Sequence, residues 1–354
     1  MSGVIYHRRN TRPTTPRLIY NRSIKILFIN DTGNINSTIT RMLVAKGHEV
    51  HLLNRGKTLK HPLPAGARVI AHDVHGGTAP EALRGAKYDA VVDWIAFTVA
   101  DVERNLAWFS GPEAATTDQF VFISSASAYQ KPPAHPMITE STPLANPYWE
   151  YSRNKIACEE RLMAAHRATG FPFTIVRPSH TYDTIVPVAV GRSDYTVVDR
   201  IRRGKPVIVH GEGTSLWTLT HADDFARAFV GLLGNAQAIG HAFHITSDEW
   251  LTWDQILRLV GRAAGAEPHI VHMPSAFIAK HDPQTGAGLL GDKSWCALFD
   301  NAKIKNFVPG WRAGIPFSEG IRRTLAWFDA DPGRRAIDEK ADAGVDALLA
   351  AWQR

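Results

Sequence analysis

The sequence predicts an α/β protein built on a doubly wound parallel sheet, with a smaller substrate unit interleaved into its C-terminal half. Three observations predict it. Short apolar runs rich in β-branched residues alternate with stretches of helical period, tight hairpin signals are few, and the alternation loosens after Asp183. At about 150 residues per domain, 354 residues suit roughly two such units.

Each element has its own signal. Ile24-Lys-Ile-Leu-Phe-Ile-Asn30 reads as a buried strand and Asp31-Thr-Gly-Asn34 as a turn. Ile39, Met42 and Leu43 recur at helical spacing up to Lys46-Gly47, a helix stop with the cation its C-terminus favours. Glu49–Leu53, Val69–Ala71 and Ala90–Asp93 follow as strands, Val99, Val102, Leu106 and Phe109 form one helical stripe, and Phe120–Ser124 is another buried strand. Thr220–Leu233 reads as a helix that returns to the first layer. The expected organisation is a basic tail over 1–23, a sheet-bearing unit over 24–183 plus 216–248, a substrate unit over 184–215 plus 249–330, and a helical extension over 331–354.

Composition narrows the function. With 44% apolar and 21% charged residues the chain is neither disordered throughout nor collagen-like nor a coiled coil. Cys158 and Cys296 are too few for a disulfide scaffold or a cysteine-based zinc site, which implies a reducing, cytoplasmic setting. No His/Asp/Glu cluster has metal-ligand spacing, and no apolar run approaches the roughly 20 residues of a membrane helix, so neither a metal nor a membrane partner is expected. The net charge of +6 is concentrated: Arg8, Arg9, Arg12, Arg17 and Arg22 lie in the first 23 residues, and residues 24–354 carry only +1. Nucleic acid is therefore not the expected partner of the body. The tail is Arg-rich and acid-free like a transit peptide, but Pro13 and Pro16 interrupt any amphipathic helix, so it is expected to be an extension outside the fold.

A strand, glycine turn and helix over 24–46 is the arrangement that aims backbone N–H groups and a positive helix end at a pyrophosphate. Asn30, Thr32, Gly33, Asn34 and Ile35 are the candidate contacts, although only Gly33 of the usual three glycines is present, Asn30 and Asn36 flank it, and Asp31 is electrostatically out of place. At the end of the second strand stand Asn54 and Arg55, with Lys57 close by, where an acid would bond the ribose hydroxyl of NAD; this substitution favours NADP(H) over NAD(H). Asp73 and Val74, after the third strand, are placed for the adenine ring, and Asp73 equally for a helix N-cap.

Tyr151-Ser-Arg-Asn-Lys155 puts a phenol and an ammonium on one helical face. A free tyrosine has a pKa near 10, and adjacent positive charge from Lys155 and an oxidised nicotinamide is expected to lower it enough to make Tyr151 a proton acceptor. Ser125, at the end of Phe120–Ser124 and 26 residues upstream of Tyr151, is placed to bond both the phenol and a substrate oxygen. Order along the chain, glycine turn, then Ser124-Ser125, then the pentad, distinguishes this set from a chance Tyr-x-x-x-Lys.

On Ser124-Ser125-Ala-Ser-Ala-Tyr129, Tyr151-x-x-x-Lys155 and Arg177-Pro178-Ser-His-Thr-Tyr182, the chain resembles the extended short-chain dehydrogenase/reductase superfamily, in its NAD-dependent epimerase/dehydratase branch, through residues 24–330. The resemblance implies a Rossmann sheet, Ser125, Tyr151 and Lys155 as catalytic residues, Lys155 on the nicotinamide ribose and Pro178 against the nicotinamide. Members often pair through helices flanking the sheet, so it leaves a homodimer open.

Departures from the family pattern point to the substrate. Where dehydratases of this family carry Asp-Glu after the catalytic Ser/Thr, this chain has Ala126 and Ser127, neither an acid nor a base at neutral pH, which argues against dehydration. Where nucleotide-sugar epimerases carry a diphosphate-gripping arginine, it has Trp217, which can stack on a ring but carries no charge; Arg192, Arg202 and Arg203 are the other cations of that region. Trp94, Ser127, His180 and Trp217 are the candidate substrate contacts, with Phe97 and His221 beside them. The expectation is an NAD(P)-dependent dehydrogenase, reductase or epimerase acting on a hydroxyl or carbonyl carbon of a small carbohydrate-like substrate. The alternative is a catalytically silent dinucleotide-binding sensor or RNA-binding protein on the same fold, for which a chloroplast stem-loop RNA-binding branch of the family is a precedent by resemblance.

Overall fold

The computed structural model describes residues 22–29, 33–56, 61–110 and 114–354. Seven parallel strands form the central sheet: β1 (Lys25–Ile29), β2 (Glu49–Asn54), β3 (Ala67–Ala71), β4 (Ala90–Asp93), β5 (Phe120–Ile123), β6 (Phe173–Pro178) and β7 (Ala242–Ile245). Their order is 3-2-1-4-5-6-7. β4 and β5 are buried along their whole length because helices cover both faces, which is why they are uninterrupted apolar runs. At the edge, β3 buries Ile70 alone and turns its other residues toward water.

The main helices are α1 (Asn34–Ala45), α2 (Val99–Ser110), α3 (Glu150–Thr169), α4 (Tyr195–Arg202), α5 (Ala222–Leu232) and α6 (Trp253–Ala264). Ile39 and Leu43 of α1 and Phe225 and Phe229 of α5 pack on Ile26, Phe28 and Val92 on one side of the sheet. Val102 and Leu106 of α2 and Leu162 of α3 pack on Leu27, Val91 and Phe122 on the other. The chain goes from β1 out to β2 and β3, then returns to place β4 on the other side of β1. That reversal opens a crevice at the carboxyl ends of β1 and β4, where such sheets bind ligands.

A third apolar cluster joins α4, α6, the paired strands Val207–His210 and Ile270–Met273, helix Phe317–Asp329 and helix Glu339–Trp352. Buried Arg200 fastens the last of these, bonding Asp342 at 2.5 Å and Asp346 at 2.7 Å. Arg22 pairs with Asp89 at 2.6 Å and Ser23 Oγ bonds Gly47 O at 2.7 Å, so the described body begins just before the first strand. The other arginines of the N-terminal segment lie outside the described residues, as do Asp31 and Lys57.

The expected elements are present with small shifts. α1 ends at Ala45, with Lys46 as its cap and Gly47 at φ +80°. The helix expected from Thr220 starts instead at Ala222, because Leu219–His221 pairs as a strand with His180–Tyr182 and the His221 ring caps the helix, its Nδ1 accepting from Asp223 N–H at 3.2 Å. His221 is therefore an N-cap through Nδ1, while its Nε2 has no partner among the described residues.

Candidate active site

α3 carries the pentad in its first two turns, with Tyr151 half-buried, Lys155 fully buried and one helical turn between them. Gly170, left-handed at φ 75°, ends this helix. A buried bidentate pair sets its position against the sheet: Arg177 of β6 donates to Glu159 at 3.0 and 2.6 Å while its guanidinium stacks 4.9 Å from the Tyr129 ring centroid.

Lys155 Nζ donates to Ala96 O at 2.7 Å and to Ile123 O at 2.8 Å, spanning the carboxyl ends of β4 and β5, and lies 4.5 Å from the Phe97 ring centroid. Two of its three donors are thus spent on carbonyls. Burial pushes its pKa down to about 8, opposed by the carboxylate of Asp93. That carboxylate ends β4 and accepts from the N–H of Ile95 and of Ala96 at 2.7 and 2.8 Å, which shapes the loop whose carbonyl receives Lys155.

Burial raises the Tyr151 pKa above its ordinary value, Asp292 raises it further, and a hydrogen bond with Ser125 pulls it back. Lys155 does not set this balance, since its ammonium is turned onto two carbonyls and lies 5.8 Å from the Tyr151 ring centroid. Tyr151 in this form is a proton donor.

Two hydroxyls and one amide surround Ser125. Ser152 Oγ donates to Ser127 Oγ at 2.7 Å, Ser127 Oγ and Ser125 Oγ are 2.8 Å apart, and Ser127 N–H donates to Ser125 Oγ at 3.1 Å. Either serine of the Ser125–Ser127 pair can be the donor; with Ser127 donating, the Ser125 proton is left for Tyr151 or a ligand oxygen. Ser127, 2% exposed, positions Ser125 and is also one of the residues lining the cavity beside it.

Ser125, Tyr151, Pro178, His180 and Trp217 line one cavity of about 190 Å³, together with Asp292 and Trp149, which sequence reasoning missed. The Tyr148-Trp149 pair, one residue before the pentad, is the signal available for the second, whose ring centroid lies 4.9 Å from that of Tyr151. Burial pushes the His180 pKa down to about 3, so its ring is neutral. Trp217 shows both of its expected aspects: it packs on Trp253 with ring centroids 5.5 Å apart, and it faces the cavity. Trp94 is displaced from the predicted set. It packs between Phe28 and Phe229, on the α1/α5 side of the sheet, and Phe97 instead reaches the Tyr151 ring, 6.2 Å between centroids. The spacing of three residues between these positions, an odd number along a chain leaving a strand, reverses the face a side chain meets.

The predicted dinucleotide contacts divide. Asn30 and Thr32 lie outside the described residues. Gly33 caps α1 with extended backbone (φ −89°, ψ 175°) and no side-chain cap bond, and a Cβ there would sit 3.1 Å from Asn36 Oδ1. Asn36 itself is buried inside the first helical turn, not in a left-handed turn. Asn34 Oδ1 accepts from Thr184 Oγ1 at 2.8 Å, and Ile35 packs with the α1/α5 core. Asn54 ends β2 buried, its Oδ1 accepting from Gly56 N–H at 2.8 Å and its Nδ2 without a partner among the described residues; Arg55 beside it is exposed. The Asp73 side chain accepts from His75 N–H at 3.1 Å and caps the short turn Val74–Gly76, so its capping reading is the one seen, and Val74 is buried under it. The uncapped start of α1, the orphaned Asn54 Nδ2 and Ser124 Oγ, and the Lys155 ammonium together fit an extended dinucleotide across the strand ends. No group of three or more His, Cys, Asp or Glu able to hold a metal occurs among the described residues. Nor, among the described residues, is any helix long and apolar enough to cross a membrane.

Residues 31–246 match the model of the NAD dependent epimerase/dehydratase family. The chloroplast stem-loop binding protein of 41 kDa b from Arabidopsis thaliana is 26% identical over 340 residues, 92% of this chain and 84% of that protein. 2'-Dehydrokanamycin reductase from Streptomyces kanamyceticus is 28% identical over 299 residues, 82% and 80% of the two chains. Among solved structures, the epimerase Mth375 from Methanothermobacter thermautotrophicus superposes with a TM-score of 0.69 at 16% identity, covering 88% of this chain and 94% of that one. The NAD complex of UDP-glucuronic acid 4-epimerase from Bacillus cereus gives 0.65 at 17% identity, covering 86% and 97%.

Proposed function

The chain belongs to the NAD dependent epimerase/dehydratase family, and from that premise we propose that it is a nicotinamide-dependent oxidoreductase or epimerase acting on a hydroxyl or carbonyl carbon of a carbohydrate-like substrate. The observation that carries the reading is the Tyr151 phenol in a cavity shared with Ser125 and Pro178, above a Lys155 ammonium that bridges two strand ends. A nicotinamide dinucleotide supplies the hydride when bound. Gly33, Asn34 and Ile35 at the start of α1 hold its pyrophosphate side, Asn54 and Arg55 its adenosine ribose, Val74 its adenine, and Lys155 and Pro178 its nicotinamide ribose and ring.

Tyr151 Oη then gives its proton to the substrate carbonyl oxygen in reduction and takes it back in oxidation. Ser125 Oγ donates to the same oxygen, its direction set by Ser127 and Ser152. Ala126 and the already engaged Ser127 provide no acid or base for dehydration. The exposed cation Arg55, with no acid at the end of β2, favours NADP(H) as the coenzyme.

Titration of the purified protein with NADP(H) and NAD(H), followed by a screen of polyols, free sugars and nucleotide sugars at the nicotinamide absorbance band, tests the reading. Binding of neither coenzyme overturns it. The likeness to a stem-loop binding protein supports a second reading, RNA binding on the same fold. Against it stands the net charge of +1 over residues 24–354. Salt-dependent RNA binding by a protein lacking residues 1–23 would favour that second reading.

A further inference from the structure

Asp292 lies in a π-helical turn, Leu289–Lys293, a rare conformation that concentrates at functional sites. The turn is built against the catalytic elements. Asn146 Nδ2 donates to Gly291 O at 2.7 Å and to Ser127 O at 2.9 Å, and a Cβ on Gly291 would fall 2.6 Å from Trp149 Cβ, so a glycine is needed for this approach. Asp292 Oδ1 lies 3.7 Å from Nζ of Lys131, whose side chain is 1% exposed, while the Asp292 side chain keeps 17% exposure in the cavity wall. Among the described residues lining that cavity, Asp292 is the only carboxyl group and no lysine or arginine lines it; burial raises its pKa and Lys131 opposes that rise. Lys131 stands at the carboxylate, and Lys293 lies 5.8 Å from the Trp149 ring centroid. Asp292 is close enough to Tyr151 for its charge to act on the phenol.

We propose that Asp292 is the substrate anchor of this site: its carboxylate accepts hydrogen bonds from hydroxyl or ammonium groups of a single carbohydrate-like ring, held between Trp149 and Trp217 with its reacting carbon at Tyr151. This rests on the oxidoreductase reading and names the substrate class for it. A carboxylate is an acceptor of up to four hydrogen bonds and suits a ring bearing adjacent donors, while indole faces suit the ring itself. A nucleoside diphosphate fits this cavity poorly, because its charge would face Asp292 with no lysine or arginine in the lining to offset it.

The test is saturation-transfer NMR on the full chain with NADP, using D-glucose, D-glucosamine and UDP-glucose as probes, on the wild type and on Asp292→Asn. The expected result is transfer to at least one free sugar that falls five-fold or more in Asp292→Asn, with UDP-glucose no stronger than D-glucose and coenzyme affinity unchanged within two-fold. D-glucose against D-glucosamine distinguishes hydroxyl from ammonium donors. Should Asp292→Asn fail to fold, the double variant Lys131→Met/Asp292→Asn, which leaves no unpaired buried charge at the site, carries the same comparison. UDP-glucose binding ten-fold more strongly, free-sugar binding indifferent to the substitution, or binding of none of the three probes overturns the proposal. Binding of neither NADP(H) nor NAD(H) overturns the oxidoreductase reading instead, and the sugar comparison is then read without coenzyme.

Discussion

Lys155 Nζ donates to Ala96 O at 2.7 Å, tying α3 to the loop that leaves β4. The loop is held in turn by Asp93, which accepts from the amides of Ile95 and Ala96. The residue that would bind coenzyme is therefore also a structural staple, and its charge is maintained at a cost.

That cost has a sign. With a folded pKa of about 8 against 10.5 unfolded, the unfolded chain binds more protons between these values, so the Lys155 contribution to stability rises with pH across that window and the burial penalty is full below about 8. The difference is worth roughly 3 kcal/mol. Denaturant titrations of wild type and Lys155→Met at pH 7 and 10 should show the wild type gaining stability relative to the variant as pH rises; parallel curves would contradict the assignment.

Tyr151→Phe should fold, bind coenzyme within two-fold of wild type and lose roughly 10²–10⁴-fold in kcat, the usual contribution of a general acid. Retention of more than a tenth of the turnover would remove Tyr151 from the mechanism.

Ser127→Ala should lower kcat about five-fold with KM little changed, because a neutral hydrogen bond worth about 1 kcal/mol no longer directs the Ser125 proton. A purely structural role would lower the melting temperature and leave the kcat of the folded fraction intact.

Glu159→Gln removes one charge of a buried bidentate pair and leaves Arg177 uncompensated. Chemical denaturation should show a loss of about 3–5 kcal/mol.

Arg55→Ala should weaken NADP(H) about ten-fold or more while changing NAD(H) less than two-fold, as expected when one charge-assisted hydrogen bond to a phosphate is lost. Equal weakening of both would withdraw the NADP preference.

The order of strands and helices, the position of the crevice and the Ser125/Tyr151/Lys155 set were legible from sequence alone, because apolar period, turn chemistry and i,i+4 spacing are local properties of the chain. What only the tertiary structure decided concerns residues far apart in sequence. Asp292 reaches the wall of the Tyr151 cavity through a π-helical turn more than a hundred residues away, a conformation with no marked sequence signal. Trp94 and Phe97, candidates three residues apart where the chain leaves β4, went to opposite sides of the sheet. The burial that raises the Tyr151 pKa, and the smaller push of the distant Asp292 against the Ser125 hydrogen bond, are likewise properties of the packed chain that spacing does not carry.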